Sequence, residues 1–260
     1  MPVGVLVGLV TGVLTCVVTE IYCHRCLAHR AFSMHPTLGS FLDGFMQVYG
    51  GVHPKRWAGI HRLHHRYADT PLDPHSPIER RPLLVLVGTP YLFAVAARRL
   101  AGDSAPGPGA VHRAVRAAIS GFWLLTIGPV QTVTALAVHL VCYLGIMGMV
   151  NTVGHRAGRK PHPDVPGYDL GWMAILLLGH GYHNSHHAHP TAARTGLLDP
   201  IWPLVRLLSW AGLIVLADER AQGQPRPCCT PLGNRGAGGN RTLVRPVQTP
   251  RATTVPEIRA

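Results

Sequence analysis

The sequence predicts an all-α integral membrane protein, and three observations support this fold class. Of the 260 residues, 47% are hydrophobic and 14% are charged, and the mean hydropathy is positive, as in membrane proteins with sizeable polar parts. Several apolar runs are long enough to cross a bilayer or to lie along its surface. Finally, histidines recur at positions i, i+3 and i+4, a spacing that puts all three on one face of a helix.

The net charge of +12 comes mainly from arginine. A nucleic-acid-binding protein would combine a basic face with aromatic residues and would lack long apolar runs, so this class is excluded. The arginines crowd around the histidine clusters and near the C-terminus, where the positive-inside rule and attraction to anionic headgroups account for them. We therefore expect the lipid bilayer, and no nucleic acid, as a partner.

The six cysteines do not form the framework of a disulfide-rich secreted domain. Cys23 and Cys26 form a Cys-x-x-Cys motif, which in other proteins binds zinc or acts in redox chemistry, but no second such motif follows. Thiols kept reduced on the cytosolic side are the favoured interpretation. The six are Cys16, Cys23, Cys26, Cys142, Cys228 and Cys229.

Residues 3–22 are predicted to form the first transmembrane helix. Residues 3–21 are almost wholly apolar, with Glu20 as the one charged residue, and they are long enough for one crossing. The segment lacks the basic start and the small-residue cleavage site of a signal peptide. His24 follows directly, so the helix is expected to end beside a histidine cluster.

The chain is expected to cross the membrane twice more within residues 83–150. If the histidine clusters build one site, they must face one aqueous compartment, so the chain between them crosses an even number of times. Two paths are open. Either 117–150 is a hairpin that turns near Pro129, or 83–97 crosses outward and 131–150 returns.

Three shorter stretches, 38–52, 170–180 and 197–217, are expected to form interfacial helices. The first is apolar but short and broken by glycine, and the third is amphipathic and carries Arg206, which favours a helix on the membrane over one through it. Residues 221–260 are rich in Gly, Pro, Arg and Thr with almost no apolar pattern, which predicts a disordered basic tail.

Nine histidines in four short clusters carry the chemistry that the sequence predicts. Neutral imidazole is the commonest protein ligand for metals such as iron, copper, zinc and nickel, and two ions would each receive four or five rings. His24 and His29 lie about 140° apart on a straight helix, so they can share a site only if the helix ends or bends between them. The clusters are His24 and His29; His61, His64 and His65; His155 with Asn151; and His183, His186 and His187.

Other polar residues have two open interpretations. Asp69, Asp73 and His75 follow the second cluster in a proline-rich loop. They are either partners that orient ligand imidazoles through their free N–H groups or ordinary loop caps. His139 lies inside an apolar segment, where an ionisable residue is functional by default; the alternative is a neutral ring that is hydrogen-bonded between helices.

These clusters and the residues around them resemble the membrane fatty acid desaturases of the acyl-CoA and acyl-lipid Δ9 type. The three histidine boxes of that family match in order and spacing, and the resemblance covers roughly residues 15–215. The matching stretches are His24-x4-His29, His61-x2-His64-His65 and His183-x2-His186-His187, with His29-Arg30-Ala31-Phe32, Trp57-Ala58-Gly59-Ile60-His61-Arg62, Asp69-Thr70, Asp73-Pro74-His75-Ser76 and Gly181-Tyr182-His183-Asn184.

The resemblance implies a membrane desaturase domain over residues 1–220, in which a cytosolic helical cap on a four-helix stem holds two iron ions beside a kinked acyl-chain tunnel. Asn151 matches a residue that reaches one iron through water in relatives, and His180 and Asn184 are expected to surround the ligands. The implied direct iron ligands are His24, His29, His61, His64, His65, His155, His183, His186 and His187.

The chain departs from the family pattern in three places. One crossing precedes the first histidine box, where relatives have a helical hairpin. His180 stands where relatives usually carry an acid, which alters the surroundings of the ligands or supplies an extra ligand. Gly59 and Ile60 stand where acyl-CoA enzymes tend to carry charged residues, so the carrier of the acyl chain is left open.

The expected reaction is O₂-dependent insertion of a cis double bond into a long-chain fatty acyl group. An unactivated methylene has no acidic proton and no leaving group, so it yields to metal–oxygen chemistry and not to side chains alone. The chain has no dinucleotide fingerprint, iron–sulfur cysteine spacing or haem-attachment motif. We therefore expect an external electron donor, such as a ferredoxin, a cytochrome b5-like protein or a flavin reductase.

Two alternatives accompany this prediction. The same metal chemistry hydroxylates, ketolates or desaturates other lipids, such as sterols, carotenoids or sphingoid bases. The other alternative is a non-catalytic, decayed homologue. The bias toward Ala, Arg, Gly and Pro suggests a bacterial source, so the expected location is a bacterial cytoplasmic membrane with the active site on the cytosolic side.

Overall fold

The computed structural model describes residues 1–100 and 108–217, except the side chains of residues 99 and 100; the predicted basic tail lies outside the described residues. The described part is mostly helical, as predicted, with one small two-stranded sheet. The helices are α1 (Val3–Val18), α2 (Pro36–Phe45), α3 (Pro54–Tyr67), α4 (Pro82–Leu100), α5 (Ala110–Val153), α6 (His183–Ala188) and α7 (Trp202–Trp210). The antiparallel strands are β1 (Phe32–Met34) and β2 (Ile214–Leu216).

Two helical stretches are long and apolar enough to cross a membrane. Val3–Ala28 combines α1 with the π-helical segment Thr19–Ala28 that continues it, and Ala110–Val153 is α5. The first matches the start of the helix predicted at residues 3–22 but runs six residues further, so that His24 lies within it. The number of crossings stays a prediction.

The long helix α5 folds back on itself at Gly128. This residue has φ 81° and ψ 166° and precedes Pro129. Arg116, before the break, donates from Nε to the carbonyl oxygen of Val48 at 2.8 Å. His139, after the break, places Nε2 3.2 Å from the carbonyl oxygen of the adjacent Tyr49.

A straight helix would separate two residues 23 positions apart by roughly 34 Å, which is too far for both side chains to reach neighbouring carbonyls. The two arms of α5 therefore lie side by side. This is the chain path of the first alternative that the sequence left open, a hairpin turning near Pro129.

The second arm of α5 packs closely along α1 at three glycines spaced four residues apart. A Cβ at Gly8 would lie 2.5 Å from the carbonyl oxygen of Ala135, and one at Gly12 would lie 2.8 Å from Cβ of Cys142. Gly4 makes a similar approach to Gln131. Small residues at this spacing let two helix backbones approach within an apolar environment, so these glycines hold the two candidate membrane helices together.

Replacing Gly8 with leucine should therefore destabilise the protein by about 1–3 kcal/mol, because the added side chain has no room between α1 and α5. Thermal unfolding of the purified protein in detergent measures the effect as a lower Tm. Gly145→Leu on α5 is the matched control, since a Cβ there meets no atom within 4 Å. Equal Tm values for the two variants would contradict the packing role.

His139 is a structural residue in this interface. Its Nδ1 lies 3.1 Å from Oγ1 of Thr11 on α1, and its Nε2 faces the carbonyl oxygen of Tyr49. Both ring nitrogens have partners, so the ring bonds three segments together. This geometry favours the neutral hydrogen-bonded alternative over a functional role.

Two of the three predicted interfacial helices need correction. Residues 38–52 are largely helical, in α2 and the π-helical segment Met46–Gly50. Residues 170–180 form only the short 3₁₀ turn Gly171–Met173, because the backbone turns back through positive φ at Leu178 and Gly179. That reversal brings the third histidine cluster toward the first.

The stretch 197–217 is helical only in α7 and ends in strand β2. Val215 pairs with Ser33 across the sheet, and β-branched Ile214 and Val215 favour strand over helix. The sheet is the one departure from an all-α fold among the described residues. It ties the segment after α7 to the chain just after His29, and both strands contribute to a buried core with Trp57 and Val205.

Candidate metal centre

A π-helix brings His24 and His29 to one site. The segment Thr19–Ala28 has i→i+5 hydrogen bonds, and the backbone N–H of His29 donates to the carbonyl oxygen of His24 at 3.0 Å. Residues five apart therefore lie one above the other, and the two imidazole centroids are 4.7 Å apart. The helix then ends, with Arg30 at φ 56°. The helix thus ends between His24 and His29, which is one of the two conditions that the sequence set.

The structure gathers the nine predicted histidines into two groups. Within each group, one candidate ligand atom per residue lies within 4.8 Å of all the others. None of the residue groups that could hold a metal in the described part of the chain contains a cysteine, and Cys23 and Cys26 are not joined in a disulfide. The five-histidine group is His24, His29, His61, His65 and His186, and the four-histidine group is His64, His155, His183 and His187.

The second and third histidine clusters each contribute residues to both groups. His61 and His65, an i, i+4 pair on α3, join the five-histidine group, and His64 between them faces the other group. On α6, His183 and His187 join the four-histidine group and His186 faces the five. Each helix thus serves both groups, which places the two candidate sites next to each other. The rings of His65 and His187 stack across the boundary at 4.2 Å.

The Nε2 atoms within the five-histidine group lie at the spacing of ligands around one ion. The His24–His186 Nε2 distance is 3.0 Å, the His29–His61 distance is 2.8 Å and the His65–His186 distance is 3.1 Å. Two nitrogens at right angles and about 2.1 Å from one metal would be about 3 Å apart. The donor set therefore fits a metal ion.

The four-histidine group has the same spacing. The Nε2 atom of His183 lies 2.8 Å from that of His155 and 3.2 Å from that of His187. The Nε2 atom of His64 is buried without a hydrogen-bond partner. A buried, unsatisfied nitrogen is costly, and a metal ion would satisfy it.

Burial keeps these imidazoles neutral. Removal from water, with further effects of neighbouring histidines, holds the pKa of His61, His64, His183, His186 and His187 well below its ordinary value. A metal ligand must be deprotonated, so at neutral pH each ring has a free lone pair. The site is built from ligands that are ready to bind a cation.

Two carboxylates form hydrogen bonds with rings of the four-histidine group, which matches one of the two interpretations that the sequence left open. Oδ2 of Asp73 lies 3.0 Å from Nδ1 of His64, and Oδ2 of Asp69 lies 3.1 Å from Nδ1 of His155. Asp73 is fully buried and also accepts from the backbone N–H groups of Asp69 and His75. With Nδ1 as a donor to the carboxylate, Nε2 of each ring faces the group. This favours partner roles over loop capping for both acids.

The structure adds a third carboxylate that sequence reasoning missed. Glu20 is completely buried, and its Oε2 lies 2.9 Å from Nδ1 of His24 and contacts Nε2 of His180. Its other oxygen accepts from Arg25. A signal for this role was present: Glu20 is the one acid in the first apolar run and stands four residues before His24.

The remaining predicted residues lie elsewhere. His75 does not orient a ring by hydrogen bonding, because both of its ring nitrogens are buried without partners; it stacks on His64 at 4.5 Å. Asn184 bonds to the backbone of the loop at His162 and Val165. Asn151 lines a cavity beside the two groups.

An apolar cavity of about 250 Å³ adjoins both groups. Its wall contains His61 of one group and His183 of the other. Most of the remaining wall is apolar, with Trp57, Phe93 and Met147 among the large side chains. A mostly apolar cavity with a few polar groups is typical of a small-molecule site.

Two candidate membrane-spanning helices, two groups of histidines at metal-ligand spacing and an adjoining apolar cavity are features of the class of membrane-associated metalloproteins. Residues 1–207 match the family described as fatty acid desaturase. The chain therefore belongs to the fatty acid desaturase family, whose members depend on metal.

Several curated relatives are similar over most of this chain. It is 32% identical to the acyl-CoA C20 Delta5-desaturase of Anemone leveillei, over 75% of this chain and 67% of the relative. It is 29% identical to Delta-9 acyl-lipid desaturase 1 of Arabidopsis thaliana, over 78% and 71%. It is 28% identical to the sn-1 stearoyl-lipid 9-desaturase of a Synechocystis strain, over 73% and 64%. The chain thus spans about two thirds of the length of these relatives, whose names differ in acyl carrier and bond position.

Proposed function

We propose that this protein is an oxidoreductase that inserts a cis double bond into a long-chain fatty acyl group, using O₂ at a site with two iron ions. The observation that carries the proposal is the pair of histidine groups beside one apolar cavity, whose wall includes His61 of one group and His183 of the other. The names of the relatives support acyl-CoA or acyl-lipid as the carrier. Because those names include both, the carrier and the bond position are left open.

The five-histidine and four-histidine groups would each hold one iron ion. Imidazole suits iron among other transition metals, and iron would supply the redox chemistry that an unactivated methylene requires. The overall reaction takes one O₂, two electrons and two protons and yields one double bond and two water molecules. Asn151 lines the cavity next to His183, a position from which it could contact a metal through water.

The residues of the cavity would bind and align the acyl chain. Trp57 is buried and stacks on His61 with ring centroids 4.9 Å apart, so an apolar surface lies directly beside a candidate ligand. Phe93 from α4 and Met147 from α5 face the same cavity. Apolar walls exclude water and hold a methylene pair at a fixed depth. Regioselectivity would follow from that depth.

An external carrier would deliver the electrons, and the surface favours an acidic one. Of the eight acidic side chains that the structure describes, only Glu79 and Asp164 are exposed. Arg62 and Arg66 are exposed one turn apart on α3, and His65 between them is only half-buried. A basic surface steers an acidic partner to the site, and the positive-inside rule favours the cytosolic side of a membrane for it.

Product analysis tests the proposal directly. The chain is expressed in a host that lacks its own desaturase, and total fatty acids are profiled by gas chromatography–mass spectrometry against the empty host. A new monoenoic acid, two hydrogens lighter than its parent, is the expected result and also gives the bond position. A product heavier by one oxygen atom would indicate hydroxylation. Folded, iron-loaded protein with a suitable donor and no lipid product would overturn the proposal.

A further inference from the structure

We propose that Glu20 is a positioning residue for the five-histidine group: it fixes the orientation of His24 so that this group retains its metal ion. The inference rests on the proposed function, because it assumes that the group holds a metal. It assigns a purpose to a buried acid in a helix that is otherwise almost wholly apolar.

The first observation is the set of nitrogen atoms that lie close to the Glu20 carboxylate. Glu20 is 0% exposed, and burying a carboxylate is costly unless it is paired. Arg25 Nε donates to Oε1 at 2.7 Å. Oε2 lies 2.9 Å from Nδ1 of His24 and also contacts Nε2 of His180. Three cationic or polar groups from two parts of the chain therefore converge on one side chain.

The second observation is that Arg25 anchors this carboxylate to the rest of the cap. The guanidinium nitrogens of Arg25 donate to the two oxygens of Asp199 at 2.9 and 3.0 Å, and to the carbonyl oxygen of Ala193 at 2.7 Å. Arg25 is itself 1% exposed. A bidentate pair of this kind is geometrically rigid, so Arg25 ties the Glu20 carboxylate to residues 193–199.

The position of the Glu20 carboxylate bears on the orientation of the His24 ring. Because Nδ1 faces the carboxylate, Nε2 points into the five-histidine group, 3.0 Å from Nε2 of His186. In the four-histidine group, Asp73 and Asp69 lie at similar distances, 3.0 and 3.1 Å, from Nδ1 of His64 and His155, and there the contacts are hydrogen bonds. Carboxylates that hold ligand histidines in this way raise ligand basicity and fix ring orientation. Glu20 gives the five-histidine group the carboxylate that the other group receives from the loop after α3.

The same geometry separates His180 from the ligands. Its Nε2 faces Glu20 and not the five-histidine group, and its Nδ1 is buried without a partner. Glu20, His24 and His180 could alternatively form a third small metal site. The positioning role and a third site differ in the amount of metal bound, which makes them distinguishable.

The test compares Glu20→Gln with wild type and with Asp43→Asn. Glutamine keeps the shape of the side chain but removes its charge. Asp43 is a half-buried acid on α2 whose side chain accepts from Gln47, outside both groups. Each full-length protein is purified in detergent, its iron is counted by mass spectrometry, and the rate of iron loss to a chelator is followed. Unfolding of the metal-free proteins reports on the fold.

We expect two iron ions per chain in wild type and in Asp43→Asn. In Glu20→Gln, one of the two should be lost to the chelator at least ten times faster, in keeping with the 10–100-fold cost of removing such partners, with metal-free unfolding unchanged. Wild-type retention of both ions in Glu20→Gln would overturn the inference, and so would a third ion in wild type that Glu20→Gln lacks. If wild type binds no iron under any loading condition, the proposed function is overturned, and this inference with it.

Discussion

Replacing His64 with alanine is expected to abolish product formation, by more than about 100-fold, and to remove the metal ion of the four-histidine group. His64 is 1% exposed, and its Nε2 is a buried atom that a metal would satisfy. Loss of partners that merely orient ligands costs 10–100-fold, so loss of a ligand should cost more. The new fatty acid in whole cells and the iron bound per chain are the two measurements.

The matched control for this variant is His189→Ala. His189 is exposed, follows the third cluster by two residues and contacts only the ring of His162 among the aromatic rings of the described residues. It should keep its iron and its product. A fully active His64→Ala protein would show that the four-histidine group is not part of the active site.

Replacing Met147 with tryptophan is expected to reduce activity on the longest acyl chains by about tenfold or more while iron stays bound. Met147 is buried on the second arm of α5 and faces the cavity beside Tyr143 and Leu144. A larger side chain there shortens or narrows the space for the acyl chain. Even one or two methylenes in an apolar site change rates by 10–200-fold. The chain-length distribution of monoenoic products, measured with iron content, reports this effect.

Leu140→Trp serves as the control for bulk on the same helix. Leu140 is 42% exposed and is not part of the cavity wall, so the product distribution should match wild type. If Met147→Trp gives the wild-type distribution at the wild-type rate, the acyl chain does not occupy this cavity.

Part of the arrangement of the histidines could be predicted from the sequence because helical spacing is local information. A helix repeats every 3.6 residues, so His61 and His65 must share a face, and the structure places them in one group. The condition set for His24 and His29 was also local, and a π-helix meets it. Asp69 and Asp73 could be predicted as partners of the ligand histidines because they follow the second cluster closely in the chain.

The residues that the sequence could not place are those whose contacts depend on distant segments. His180 faces Glu20, which is 160 positions earlier in the chain. His75 has the residue type and position of a partner, yet its ring stacks against His64 instead of bonding to it. The predicted helix at 170–180 failed for a similar reason: the chain turns there to fit against segments whose approach is not encoded locally.

By itself the sequence indicated the elements of the expected chemistry: imidazoles at helical spacing, apolar runs of membrane length, and no dinucleotide, iron–sulfur or haem-attachment motif. Only the tertiary structure decided which histidine joins which group, that α5 folds back at Gly128 and that Glu20 lies beside His24. The physical reason is that the ligands of one site come from segments that are distant in the chain and meet only in the folded protein. Helical periodicity fixes the direction of a side chain relative to its own helix, whereas long-range packing fixes where the helices meet.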